Sequence, residues 1–231
     1  MASPSHVNSA NRRAIRWWLV VTPALALAAG GLSGAQATTI TFGLDVEFSD
    51  GASPEGSTPW VEATFDDSFG DANTVRLTMS ATNLVDQESA TEWLFNFDPN
   101  LDPTQLSFTA VDNSDSIPLI LTGVDAFKAD GDGLYDIEFS FPPPPGLFIN
   151  RFTADESVIY DITYVAPITA SSFQFLSTPD GGAGEFFTAA QIQAIGPGDA
   201  ESGWIGFVPE PSTATLLGLG LGGLALAARR R

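Results

Sequence analysis

Between residues 39 and 48 the chain alternates without a fault. Ile40, Phe42, Leu44, Val46 and Phe48 point one way; Thr39, Thr41, Gly43, Asp45 and Glu47 point the other. Successive side chains of an extended chain project to opposite sides, so a period of two with one apolar face predicts a half-buried β-strand. The pattern returns at Val75, Leu77, Met79 and Ala81; at Trp93, Phe95 and Phe97; at Leu106 and Phe108; at Ile137, Phe139 and Phe141; at Tyr160, Ile162 and Tyr164; and at Phe173 and Phe175. Turn clusters stand between these runs: Ser53-Pro54-Glu55-Gly56, Asp98-Pro99-Asn100, Asp130-Gly131-Asp132-Gly133 and Pro179-Asp180-Gly181-Gly182. No long segment has a helical period, and only Thr188–Ile195 suits one short helix. Many short strands with turn signals predict an all-β body over residues 38–207, an antiparallel β-sandwich of jelly-roll or Greek-key type without internal repeat or domain boundary. Pro142–Pro145 ends a strand and predicts a rigid polyproline II connection.

Composition then limits the chemistry. The chain has no Cys, so no disulfide can hold it, and its 17 Phe and 5 Trp must supply the core. Its one histidine, His6, lies in the N-terminal segment. A body without His or Cys has no Ser–His or Cys–His nucleophile and no imidazole or thiolate metal ligands. Of the 28 acidic residues only Glu210 lies outside residues 38–208, and of the nine Lys and Arg only Arg76, Lys128 and Arg151 lie inside. A net charge of −24 excludes nucleic acid as a partner of this body, because phosphate binding needs Lys and Arg.

The two ends read as addresses. Arg12, Arg13 and Arg16 precede an apolar run, Trp17–Ala29, and Ala35-Gln36-Ala37 supplies a small-x-small cleavage pattern; residues 1–37 are expected to be a secretory signal cut after Ala37. The Arg12-Arg13 pair matches a twin-arginine signal only loosely. At the other end, Pro209-Glu210-Pro211 is followed by an uncharged Leu/Gly/Ala run over 214–228 and by Arg229, Arg230 and Arg231. As a helix these fifteen residues span roughly 22 Å, somewhat short of a hydrocarbon core of about 30 Å, and the arginines act as a cytoplasmic stop.

Motif, apolar helix and basic cluster in this order resemble the PEP-CTERM sorting signal of bacterial surface proteins, over residues 208–231. The resemblance implies a precursor anchored in the inner membrane through this helix and recognised near Pro209-Glu210-Pro211 by an exosortase, a membrane-embedded transpeptidase. It further implies delivery by the secretion machinery to the cell surface or the extracellular polysaccharide matrix, with the enzyme's chemistry in the exosortase. The leading expectation is therefore a non-enzymatic exported protein.

Three features of the body bear on ligands. Asp130, Asp132 and Asp136, with Asp125 and Glu138 near them, form the densest acidic cluster and resemble the start of a calcium loop. The EF-hand pattern fails, because Leu134 and Phe141 stand where two of its ligands would be. A tight Asp/Gly hairpin turn is the plainer reading, with Ca²⁺ held weakly and diffusely by the charge. Trp60 and Trp204, in Pro- and Gly-rich surroundings, are the candidates for stacking on exopolysaccharide sugars, whereas Trp93 reads as core. An extracellular carbohydrate- or calcium-binding module is thus the second reading. A carboxylate-dependent glycan hydrolase is a remote third, since among so many acids some pair always lies at a workable separation.

Overall fold

The computed structural model describes residues 37–113, 116–131, 133–143, 151–182 and 184–207. The expected signal segment with Ala35, the Pro209-Glu210-Pro211 motif, the apolar run 214–228 and Arg229–Arg231 lie outside the described residues, as do Asp132 and the second half of the proline run.

Twelve strands follow in chain order: β1 (Thr39–Leu44), β2 (Val46–Glu47), β3 (Val61–Asp66), β4 (Thr74–Ser80), β5 (Ser89–Phe95), β6 (Ser107–Asp112), β7 (Leu119–Lys128), β8 (Leu134–Ser140), β9 (Phe152–Thr153), β10 (Ser157–Thr163), β11 (Thr188–Ile195) and β12 (Glu201–Gly206). They form two sheets, one in the order β1-β3-β4-β10-β6, the other β2-β12-β11-β5-β8-β7 with β9 also paired to β5. Every pairing is antiparallel. Among the described residues the only helical pieces are 3-10 turns at Pro103–Gln105 and Ala170–Phe173.

The alternation seen in the sequence is realised as inward and outward positions. In β3, β4, β8 and β10 every second residue is buried, among them Val61, Ala63, Phe65, Val75, Leu77, Met79, Ile137, Phe139, Val158, Tyr160 and Ile162. Rings from the two sheets meet in a single core. Phe65 of β3 lies edge-on to Phe95 of β5 with centroids 5.4 Å apart and stacks on Phe173 at 4.5 Å. Phe139 of β8 is met edge-on by Phe108 of β6 and Tyr160 of β10, each at 5.6 Å. Each such ring contributes about 1.5–3 kcal/mol by burial, and each favourable pair about 0.5–1.5 kcal/mol more.

Three local readings of the sequence change in the fold. The unbroken alternation of 39–48 is two strands in different sheets, β1 and β2, with the switch at Asp45. There the Asp45 N–H donates to the Gly206 carbonyl, while the Trp60 N–H still donates to Leu44. Thr188–Ile195 is the strand β11, not a helix. Its Ala and Gln favour a helix locally, but it runs between β5 and β12, where both edges are satisfied by ladder hydrogen bonds and Ala189 and Ala190 face Leu94 and Trp93. Phe173 belongs to a 3-10 turn rather than a strand and reaches the core from there.

Because packing alone holds the sheets, Phe65→Ala should cost about 3–5 kcal/mol of unfolding free energy. Phe69, 41% exposed beneath the Arg76 guanidinium at 4.2 Å, should cost about 1 kcal/mol or less when changed to Ala. Urea denaturation of the two variants measures the difference.

Candidate functional site

The acidic cluster lies on the β7–β8 hairpin. Asp130, Gly131 and Gly133 have φ of 41°, 91° and 121°, the left-handed region in which a short polar side chain or glycine is at ease. Gly133 is also fixed by space, since a Cβ there would fall 2.4 Å from the Ser177 hydroxyl. The hairpin tip is docked on the segment that follows Phe175. The Leu134 and Thr178 backbones exchange hydrogen bonds of 2.8 and 3.0 Å, and Lys128 pairs with Asp180 at 2.6 Å.

Asp136 has a different task from Asp130. Thr122 pairs with Ile137 and Phe127 with Tyr135, so β7 carries residues 123–126 opposite the single residue Asp136. The Asp136 carboxylate fills this bulge: Oδ1 accepts the Asp125 N–H and Oδ2 accepts the Phe97 N–H, both at 2.9 Å. One side chain thereby ties the edge strand and the end of β5 to β8. Asp130 sits exposed at the tip, and among the described residues no three His, Cys, Asp or Glu side chains converge on a point that could hold a metal. The hairpin thus brings Asp125 and Asp136 together and leaves Asp130 apart.

Asp136 and Asp125 also line a cavity of about 290 Å³, walled by Phe97, Leu101, Pro103, Val124 and Phe175. Burial pushes the Asp136 carboxyl above its ordinary value, the Asp125 charge adds to this, and the two N–H donors oppose it. The result is a small cavity near the lower end of ligand-pocket sizes, with the polar groups of Asp125, Asp136, Asn96 and Thr178 set among apolar walls. Asn96, also on the lining, spends its amide N–H on the carbonyls of Phe186 and Phe187.

A second, more polar recess surrounds Glu88, which the sequence does not distinguish from its many acidic neighbours. Glu88 is only 1% exposed. Its Oε1 accepts the Glu55 N–H at 2.7 Å and its Oε2 the Val85 N–H at 2.9 Å, and Glu55, Asp86 and Asp199 stand around it. Burial raises its pKa, with the charges of Glu55 and Asp86 adding to the shift. Glu92 on β5 and Glu138 on β8 are raised as well, both by burial and Glu92 also by the Glu138 charge. Their strand neighbours Trp93, Phe95, Ile137 and Phe139 point into the core, which places the two carboxyls on the opposite face of the sheet.

The expected open faces of Trp60 and Trp204 do not exist in the fold. Trp60 is 6% exposed, and its indole N–H donates to the Gly56 carbonyl at 2.8 Å. Trp204, 8% exposed, packs with Leu94, Ala189 and Tyr135. The glycines that suggested an open loop instead allow close backbone approach: a Cβ on Gly203 would lie 2.2 Å from the Ala52 carbonyl oxygen. Trp93 is fully buried, its indole N–H on the Thr188 hydroxyl at 3.0 Å.

These carboxyls set a pH dependence. Glu88, Glu92, Asp136 and Glu138 are all raised, so the folded chain binds more protons than the unfolded chain and stability falls as pH rises through their range. Asp66 and Asp102 are lowered, chiefly by hydrogen bonds from Ser68 and Thr104, and lose their contribution only in stronger acid. The melting temperature should therefore rise between about pH 7 and about pH 5 and fall again below about pH 4. Repeating the series at about 0.5 M salt screens the diffuse repulsion, and the remaining rise should be smaller in Glu88→Gln.

No curated protein and no solved structure matches this chain. One family model does: residues 207–231 carry the PEP-CTERM protein-sorting motif.

Proposed function

We propose that this chain is an exported, non-enzymatic protein. It is made as a membrane-anchored precursor, trimmed by an exosortase near Pro209-Glu210-Pro211, and displayed at the cell surface or in the extracellular polysaccharide matrix. The observation that carries this reading is the sorting motif at residues 207–231, and the N-terminal secretion pattern up to Ala37 agrees with it.

The junction between body and motif supports the same division of labour. Phe207 is the first motif residue and still belongs to the body, with its N–H on the Thr188 carbonyl and its ring 5.5 Å from Phe42. β12 just before it is paired on both sides, to β11 and to β2. Removal of everything beyond Pro211 therefore leaves every strand of the described residues in place.

The body contributes charge rather than a reaction centre to this reading. Arg76 is engaged by both oxygens of Asp161 at 2.8 and 3.0 Å, Lys128 by Asp180, and Arg151 is buried. The surface thus presents its carboxylates largely uncompensated, which suits loose, diffuse uptake of divalent cations in a matrix.

Replacing Pro209, Glu210 and Pro211 by alanine should leave export intact and abolish tail removal. Intact-mass measurement on membrane, surface and medium fractions should find wild-type product beginning at Thr38 and ending near Pro209–Ser212, and the triple variant still ending at Arg231. Normal clipping of the variant would refute the sorting reading. Separately, deletion of residues 212–231 should leave the thermal midpoint of the body unchanged, whereas deletion from Glu201 onward should prevent folding, as followed by circular dichroism.

A further inference from the structure

Among the described residues β7 is the open edge of the seven-stranded sheet, with β8 its only partner strand. An open edge presents unpaired N–H and C=O groups, and proteins normally blunt it with shortness, charge, proline or a bulge. The other edges here are blunted. β2, at the far side of the same sheet, is two residues long. β6 ends on Asp112, with a register slip against β10 between Ile159 and Tyr160. β1 carries polar Thr39 and Thr41 at its exposed positions, the Thr41 hydroxyl hydrogen-bonded to that of Thr64 on β3 at 2.9 Å.

β7 is blunted only in its second half, where residues 123–126 bulge over Asp136. Its first half is regular, with Leu119, Ile120, Leu121 and Thr122 in register with Ser140 to Ile137. Residues 116–124 contain no charged side chain, in a body that carries a net −24. Four large aliphatic side chains there are open to solvent: Ile117 at 69%, Leu119 at 62%, Leu121 at 40% and Val124 at 66%. A clustered apolar patch on an available strand edge is what a partner strand would cover.

Charge selects the occupant. Nucleic acid and anionic lipid are repelled by the body, and a cationic partner would be drawn to the carboxylates rather than to a stretch that has none. What fits is an extended, uncharged segment with exposed aliphatic side chains, and the first half of β7, Leu119 to Thr122, is itself such a segment. For two copies that repel each other elsewhere, a stretch of edge without charge is also the place of closest approach. We propose that the protein self-associates by antiparallel pairing of β7 with β7 of a second copy about a two-fold axis, so that one sheet runs through both bodies. Such an isologous contact sets Leu119 and Leu121 of the two copies side by side and closes at a dimer.

The chain lacks cysteine, so single cysteines report the contact directly. Sedimentation velocity of the full chain should show a dimer. Leu121→Lys, which puts a charged side chain into the apolar seam, should weaken it roughly tenfold or more while the circular dichroism spectrum is kept. Under mild oxidation Leu119→Cys or Leu121→Cys should give a disulfide-linked dimer, and Val165→Cys, on a residue 75% exposed elsewhere, should remain monomeric. A monomeric wild type, a dimer that survives Leu121→Lys, equal cross-linking at Val165→Cys, or association that disappears only when residues 212–231 are deleted would each overturn the proposal. None of these outcomes depends on exosortase processing, so the two readings fail separately.

Discussion

Phe65 of β3 and Phe95 of β5 meet edge to face across the space between the sheets, and the remaining aromatic contacts extend outward from this pair. Phe95 passes the contact on to Phe139 at 5.8 Å and to Trp93 at 5.8 Å, while Phe65 passes it to Phe42 and Phe173. Without a disulfide, no covalent tie carries load if this seam loosens. The small residues opposite the rings, Ala63, Ala90 and Ala190, are fully buried and leave the room that the large side chains fill. The body does without cysteine by placing rings such as Phe65, Trp93, Phe95, Phe139 and Tyr160 among the aliphatic inward positions of its strands.

The acidity of the body has a structural source as well as an electrostatic consequence. Among the described residues, seven that are not glycine take a left-handed conformation, and six of them are Asp: Asp50, Asp86, Asp125, Asp130, Asp155 and Asp199. Other acids cap turns. Asp98 accepts the Asn100 N–H, Asp102 the Thr104 N–H, and one oxygen of Glu47 accepts the N–H groups of Ser49 and Gly51. Two antiparallel sheets with twelve strands among the described residues need many turns, and aspartate meets their conformational and hydrogen-bonding demands together. Clusters such as Asp130–Asp136 arise from that need, so carboxylate density along this sequence is a poor guide to metal sites. The same density makes the chain self-repelling, and burial of Glu88 and Asp136 adds to the strain at neutral pH.

This explains which parts of the architecture were legible in the sequence. β1, β4, β8 and β10 each bury one face and leave the other partly open, so Val75-x-Leu77-x-Met79 announces its strand directly. β3 has the same signature in Val61, Ala63 and Phe65, and that alternation was there to be read beside the loop residues before it. β7 and β11 lack the signature for physical reasons: β7 is an edge with aliphatics on its solvent side, and β11 is central, with both faces covered and small Ala residues in place of large ones. The break at Asp45 has no local signal, because a strand that switches sheets keeps the same alternation on either side of the switch. Burial of Trp60 and Trp204 is likewise set by distant segments folding back over them, which composition around each residue cannot report.

The sorting motif, by contrast, is legible in sequence because it acts as sequence. Three short blocks in a fixed order need no partner elsewhere in the chain, whereas the tertiary contacts of the body join residues far apart, as Asp136 joins Phe97 and Trp204 packs on Leu94. The fold secures the end of the body by keeping β12 inside the sheet, with Gly206 held by Asp45 and Phe207 held by Thr188. A signal that follows a sealed sheet can be removed without reopening it, and a body built this way can change its surface without altering its address. In this chain the first motif residue, Phe207, also packs its ring against Phe42 and Phe187 in the aromatic core.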